Sequence, residues 1–119
     1  MRDEASARLK VQTTGGVTVV ELTDKKILDE VSIGQIGEQL APLVARETHP
    51  KLVVDFTNVQ HMSSSALGML ITLHKRVREK GGQLRMCCIQ PAIYEVFVIT
   101  RLNEIFKILP TRQEAMETI

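Results

Sequence analysis

The chain has 119 residues, 44% hydrophobic and 24% charged, with 15 Lys and Arg against 14 Asp and Glu. That is the composition of one globular domain, and a net charge of +1 removes the bulk electrostatic case for a nucleic acid or anionic membrane as partner. With no Trp, one Tyr and three Phe there is no stacking platform for single-stranded nucleic acid, and no apolar run approaches the roughly 20 residues that span a bilayer.

Residues 1–7 read as a short mobile tail, charged and without the apolar segment of a secretory signal. The expected compartment is the cytoplasm, and residues 8–119 read as one domain. Leu9, Val11 and Thr13 alternate, Gly15-Gly16 interrupts, and alternation resumes from Val17 to Leu22. Two strands joined by a Gly-Gly turn are expected. After the polar stretch Thr23–Lys26, apolar residues Ile33, Ile36, Leu40, Leu43 and Val44 recur at helical spacing. They mark a helix from about Val31 to Arg46, with Asp29 or Ser32 as its cap. Gly34 and Gly37 inside it suggest close packing or a moving helix.

Leu52 to Phe56 has little polar alternation, as a central strand covered on both faces would. The loop from Thr57 to Met62 leads to three serines, Ser63-Ser64-Ser65, and a helix starting near Ala66. Its apolar stripe is Leu67, Leu70, Ile71, His74 and Val77, and Gly81-Gly82 stops it. Lys75, Arg76, Arg78 and Lys80 complement its C-terminal dipole. Leu84 to Ile89 is a further strand, containing Cys87 and Cys88 as structural thiols. Pro91 opens a helix over Ala92 to Thr100, Phe106 to Leu109 is a last strand, and Thr111 with Glu114 has capping-box spacing before a final helix. The expected fold is α/β: one domain, a mixed, largely parallel sheet with about four helices, in the order β-β-α-β-α-β-α-β-α.

Catalytic patterns are missing. His49, His61 and His74 have no ligand partner at zinc spacing, and there is no phosphate-cradling glycine loop. The serines occupy a strand-to-helix turn, but the glycines of a nucleophile elbow are absent and no histidine follows His74. The chain reads as a non-enzyme with no metal and no cofactor. A helix N-terminus with three hydroxyls still suits a cap, a bound anion or a phosphate placed on the chain itself.

The run Val53-Val54-Asp55-Phe56-Thr57-Asn58-Val59, followed by Met62-Ser63-Ser64-Ser65-Ala66-Leu67-Gly68, resembles the STAS family (sulfate transporter and anti-sigma factor antagonist), from about Leu9 to Ile119. The family motif reads Asp-Ser-Ser/Thr-Gly-Leu/Ile-Gly. Ser63 stands at its Asp and Ala66 at its first Gly, while Leu67 and Gly68 are retained. The resemblance implies a STAS-like domain acting as an anti-sigma factor antagonist in bacterial partner switching. Such a protein binds a serine kinase that is also the anti-sigma factor and holds the ATP, and phosphorylation of the motif residue releases it. Aligned this way, the phosphoacceptor is Ser65, with Ser64 the alternative. The implied contact surface comprises Asn58, His61, Met62, Ser63, Ser64, Ser65, Ala66, Leu67 and Gly68, joined by Asp24 and Asp29. A second role known among STAS-like subunits is as a non-phosphorylated structural partner in membrane transport complexes.

Overall fold

The computed structural model describes residues 8–119, so the tail expected at residues 1–7 lies outside the described residues. The strands β1 (Leu9–Thr14) and β2 (Val17–Leu22) form an antiparallel hairpin in which Thr14 faces Val17. Gly15 and Gly16 make the two-residue turn with φ of +56° and +81°, a conformation open to glycine and costly for other residues.

The order then runs β3 (Lys26–Ile27), α1 (Glu30–Ala45), β4 (Lys51–Asp55), β5 (His61–Met62), α2 (Ser64–Glu79), β6 (Gln83–Cys87) and α3 (Pro91–Ile99). A 3-10 turn (Leu102–Glu104), β7 (Lys107–Leu109) and α4 (Arg112–Glu117) complete it. The main sheet is ordered β1-β2-β4-β6-β7, parallel except for the hairpin, and β3 pairs with β5 in a separate parallel ribbon. The nine expected elements are present in their expected order. β3 and β5 are additions, too short for any sequence period to reveal.

The parallel strands advance in one direction across the sheet, so right-handed crossovers put α1, α2 and α3 on one face. Alternate strand residues record this. Val20, Leu22, Leu52, Val54, Leu84 and Met86 pack in the large core with the three helices, whereas Val17, Val19, Val53 and Cys87 pack with Ala115 of α4 on the other face. The central strand β4 is therefore covered on both sides, as its unbroken apolar run requires.

Several details differ from expectation. The buried line of α2 is Ala66, Leu67, Leu70, Leu73 and Val77, while Ile71 is 43% exposed. α1 lies along the flank that carries Met69 and Leu73, so the Leu73 side of the stripe is covered and the Ile71 side is not. His74 packs edge-on against Phe106 at 5.3 Å. Close packing does not require glycine in α1: a Cβ at Gly34 would meet nothing, and one at Gly37 would make an ordinary 3.5 Å contact with Met69.

Gly82 is where close approach is real, because a Cβ there would lie 2.2 Å from the Pro50 carbonyl oxygen. Its amide donates to the Val77 carbonyl and that of Gly81 to Arg78, both at 2.9 Å, the double closure of a helix C-terminus on a left-handed glycine. Cys88 falls outside β6 with φ +62°, and both cysteines are free thiols. No described helix is long and apolar enough to cross a membrane.

Candidate functional site

The serine segment is held by three structural ties. At the end of β4, Asp55 accepts from the amide and hydroxyl of Thr57. The Val59 amide then donates to the Phe56 carbonyl at 2.9 Å, turning the chain with Val59 fully buried. Next, the amides of Gln60 and His61 donate to the Lys25 carbonyl, and that of Ser63 donates to Ile27. These bonds flank the pairing of Lys26 with His61 and Ile27 with Met62. Finally Ser63 caps α2 from an extended backbone, its Oγ accepting from the Ala66 amide at 3.3 Å.

The cap assignment separates the three hydroxyls. Ser63 is half-buried and committed to the helix start, whereas Ser64 and Ser65 are the first two helical residues and both are exposed. Their amides have no partner within the helix. Ala66 and Leu67 are buried and anchor the first turn in the core, and Gly68 is exposed. The methyl of Ala66 thus occupies core space where the family motif has glycine. Among the described residues no histidine or carboxylate bonds the hydroxyl of Ser64 or Ser65.

The ribbon also brings Asp29 into play. Asp29 caps α1, accepting from the Ser32 amide at 2.9 Å. That amide bond and a bond from the Ser32 side chain hold its carboxyl below the ordinary range. Because β3 leads into α1 and β5 leads into α2, the two capped helix starts emerge side by side from one paired ribbon. Asp29 thereby places a carboxylate at the α1 start, beside the helix start that Ser63 caps.

Of the remaining surface candidates, His61 is exposed and Met62 half-buried on β5. Asn58 is turned inward, its amide donating to Glu21 at 2.9 Å and the Leu22 carbonyl at 3.1 Å. Asp24 is paired with Arg8 at 2.9 Å, and the Arg8 Nε donates to Gln35 of α1. The structure therefore groups Asp29 with His61–Gly68 and gives Asn58 and Asp24 framework bonds of their own.

Sequence reasoning missed the network beneath the loop. Arg112 of α4 donates from Nε to the Asp55 carboxylate at 2.8 Å, and its terminal nitrogen reaches Asp55 at 2.7 Å and Glu21 at 3.1 Å. Burial pushes the Asp55 carboxyl upward, but the Thr57 bonds and Arg112 outweigh it and hold it below its ordinary value. The one legible signal was an acid closing an apolar strand. Nothing marked its partner 57 residues later.

Asp55, Cys87 and Cys88 have ligand-type atoms within 4.8 Å of one another, yet they do not fit a resident metal. Arg112 already neutralises Asp55, and burial, with the Asp55 charge adding, pushes the Cys87 thiol far above the thiolate range.

Comparison with known proteins accords with this architecture. The family described as STAS domain matches residues 8–115. An anti-sigma F factor antagonist from Paenibacillus polymyxa is 26% identical over 103 residues, covering 87% of this chain and 84% of that protein. A solved anti-sigma-factor antagonist (STAS) domain protein from Planctomyces limnophilus aligns with a TM-score of 0.86 at 24% identity, over 94% of this chain and 97% of the other. The Bacillus cell fate determinant SpoIIAA, solved in its phosphorylated form, aligns at 0.68 and 17% identity over 92% and 97% of the two chains.

Proposed function

This chain belongs to the STAS domain family, and from that membership we propose that it is an anti-sigma factor antagonist working by reversible protein–protein binding. Its partner is an anti-sigma factor that is also a serine kinase. The kinase binds the ATP, and this chain contributes a docking surface and an acceptor hydroxyl but no catalytic group or cofactor. The unmodified form binds the partner, and phosphorylation at the start of α2 releases it.

The observation that carries the reading is the division of labour among the serines. Ser63 is committed to the cap, which leaves Ser64 and Ser65 as exposed hydroxyls on a rigid helix start. Ser65 is the acceptor that the motif alignment selects, with Ser64 beside it as the alternative. A phosphate on either adds about −1.5 to −2 charges. The adjacent helix dipole tolerates that charge within this chain, so the domain stays folded. A partner packed on the loop meets repulsion and desolvation instead. A loss of about 3–4 kcal/mol at that contact weakens binding by a few hundred-fold.

The test is incubation with a purified candidate kinase and ATP, followed by intact mass and site mapping. One phosphate, on Ser65 or Ser64, is expected. The single variants Ser64→Ala and Ser65→Ala assign it, and the aspartate substitution at the acceptor weakens kinase binding. No incorporation at either serine by a kinase that binds the chain would overturn the switch.

A further inference from the structure

Beyond the serines, a groove of about 370 Å³ runs between the β3–β5 ribbon and α3, lined by Lys26, Leu28, His61, Met62, Ala92 and Val96 among others. Two of its large apolar side chains stay open to solvent, Leu28 at 50% and Val96 at 40% exposure. Val31, in the first turn of α1, is more exposed still. Apolar surface gathered around a concave site is characteristic of a contact surface rather than of scattered exposed residues.

We propose that this groove receives an apolar side chain of the anti-sigma partner, flanked by a carboxylate on the same partner. The inference rests on the functional reading above and names the part of the partner's chemistry that reading leaves open. Continuity carries the first half. The groove wall His61–Met62 is the strand that enters the Ser63 cap, so the wall and the exposed Ser64 and Ser65 are parts of one short segment, and a protein covering the serines lies beside the groove. The opposite wall is anchored, because Ile93, which also lines the groove, and Phe97 are buried in the core and tie α3 to it. A pocket with fixed walls beside a proposed interface is where a buried anchor contributes most.

Charge carries the second half. The ionisable groups lining the groove are Lys26 and His61, with no acid among them, and no carboxylate among the described residues pairs with Lys26. A carboxylate beside the apolar anchor completes that lysine.

The serine switch and the groove are distinct places on one surface, so their effects are separable. The experiment measures affinity of a purified anti-sigma kinase for the full chain and for Ala92→Trp, which fills the groove, Leu28→Asp, which charges its rim, and Lys26→Glu, which reverses its cation. Ala92→Trp and Leu28→Asp are expected to weaken binding about tenfold or more, with melting temperature within about 3 °C of the parent. Lys26→Glu is expected to slow association and flatten its salt dependence. Parent-like binding by Ala92→Trp and Lys26→Glu, with loss at the phosphomimetic serine variant, overturns the groove and leaves the switch standing. Loss at the groove variants without loss at either serine variant upholds the groove and overturns the switch. Should Leu28→Asp fail to fold, the other two exposed positions still decide.

Discussion

The guanidinium of Arg112 lies 2.7 Å from the carboxylate of Asp55, so α4 is locked to the strand end from which the serine loop departs. Asp55 is only 3% exposed. Truncating its cation leaves a buried carboxylate with Thr57 as its remaining partner. Arg112→Met is therefore expected to cost about 2 kcal/mol, seen in urea denaturation. A loss below about 0.5 kcal/mol would mean that water replaces the arginine without penalty. Asp55→Asn is expected to cost less than Arg112→Met, since it removes the buried charge together with its need for a counter-ion.

Acid sensitivity should come in two steps. Burial, with help from Arg78, lowers the His74 pKa below 6.5. The unfolded chain then takes up that proton first, and stability falls as pH drops from about 6.5 to the folded value, levelling off below it. Asp55 is lowered below 3.8, so its contribution is complete above that value and is lost as pH falls through the folded pKa. Melting temperature against pH should show both steps. His74→Gln should abolish the upper one and leave the lower.

Two glycines should respond to alanine with opposite signs. Gly82→Ala drives a methyl into the Pro50 backbone and is expected to destabilise by about 2 kcal/mol or more. Gly34→Ala meets open space inside a helix and is expected to stabilise by up to about 1 kcal/mol. Thermal melts of the pair check both, and a stable Gly82→Ala would show that the helix end and β4 can separate.

The serines should divide in stability as they do in position. Ser63→Ala removes the α2 cap and is expected to cost about 1 kcal/mol. Ser64→Ala and Ser65→Ala should stay within about 0.5 kcal/mol of the parent, as exposed substitutions generally do. If Ser64→Ala proves the costly one, the cap has been assigned to the wrong residue.

Much of this architecture is legible in the chain because periodicity and punctuation agree. Gly15-Gly16 and Gly81-Gly82 end elements where the apolar period also ends, and Leu52 to Phe56 announces a strand covered twice. The boundaries slip where a residue serves the core from outside an element: Phe106 is buried and packed edge-to-face with Phe97 and His74, but β7 begins only at Lys107. At the site, the run His61–Gly68 and the neighbouring Asp29 were readable from motif and capping chemistry. The inward role of Asn58 and the clasp of Asp24 by Arg8 were not, since each depends on which distant backbone the fold brings opposite. The two-residue β3–β5 ribbon left no trace in periodicity at all.

That ribbon has a mechanical consequence. With the Ser63 amide bonded to the Ile27 carbonyl at 3.0 Å, the starts of α1 and α2 are yoked, and neither can swing without dragging the other. A protein that grips one helix start therefore feels the stiffness of two, so little of its binding free energy goes into bending this domain. The Ser63 amide is the gauge of that yoke: its hydrogen exchange should slow when the surface is covered and quicken if the pair is ever prised apart.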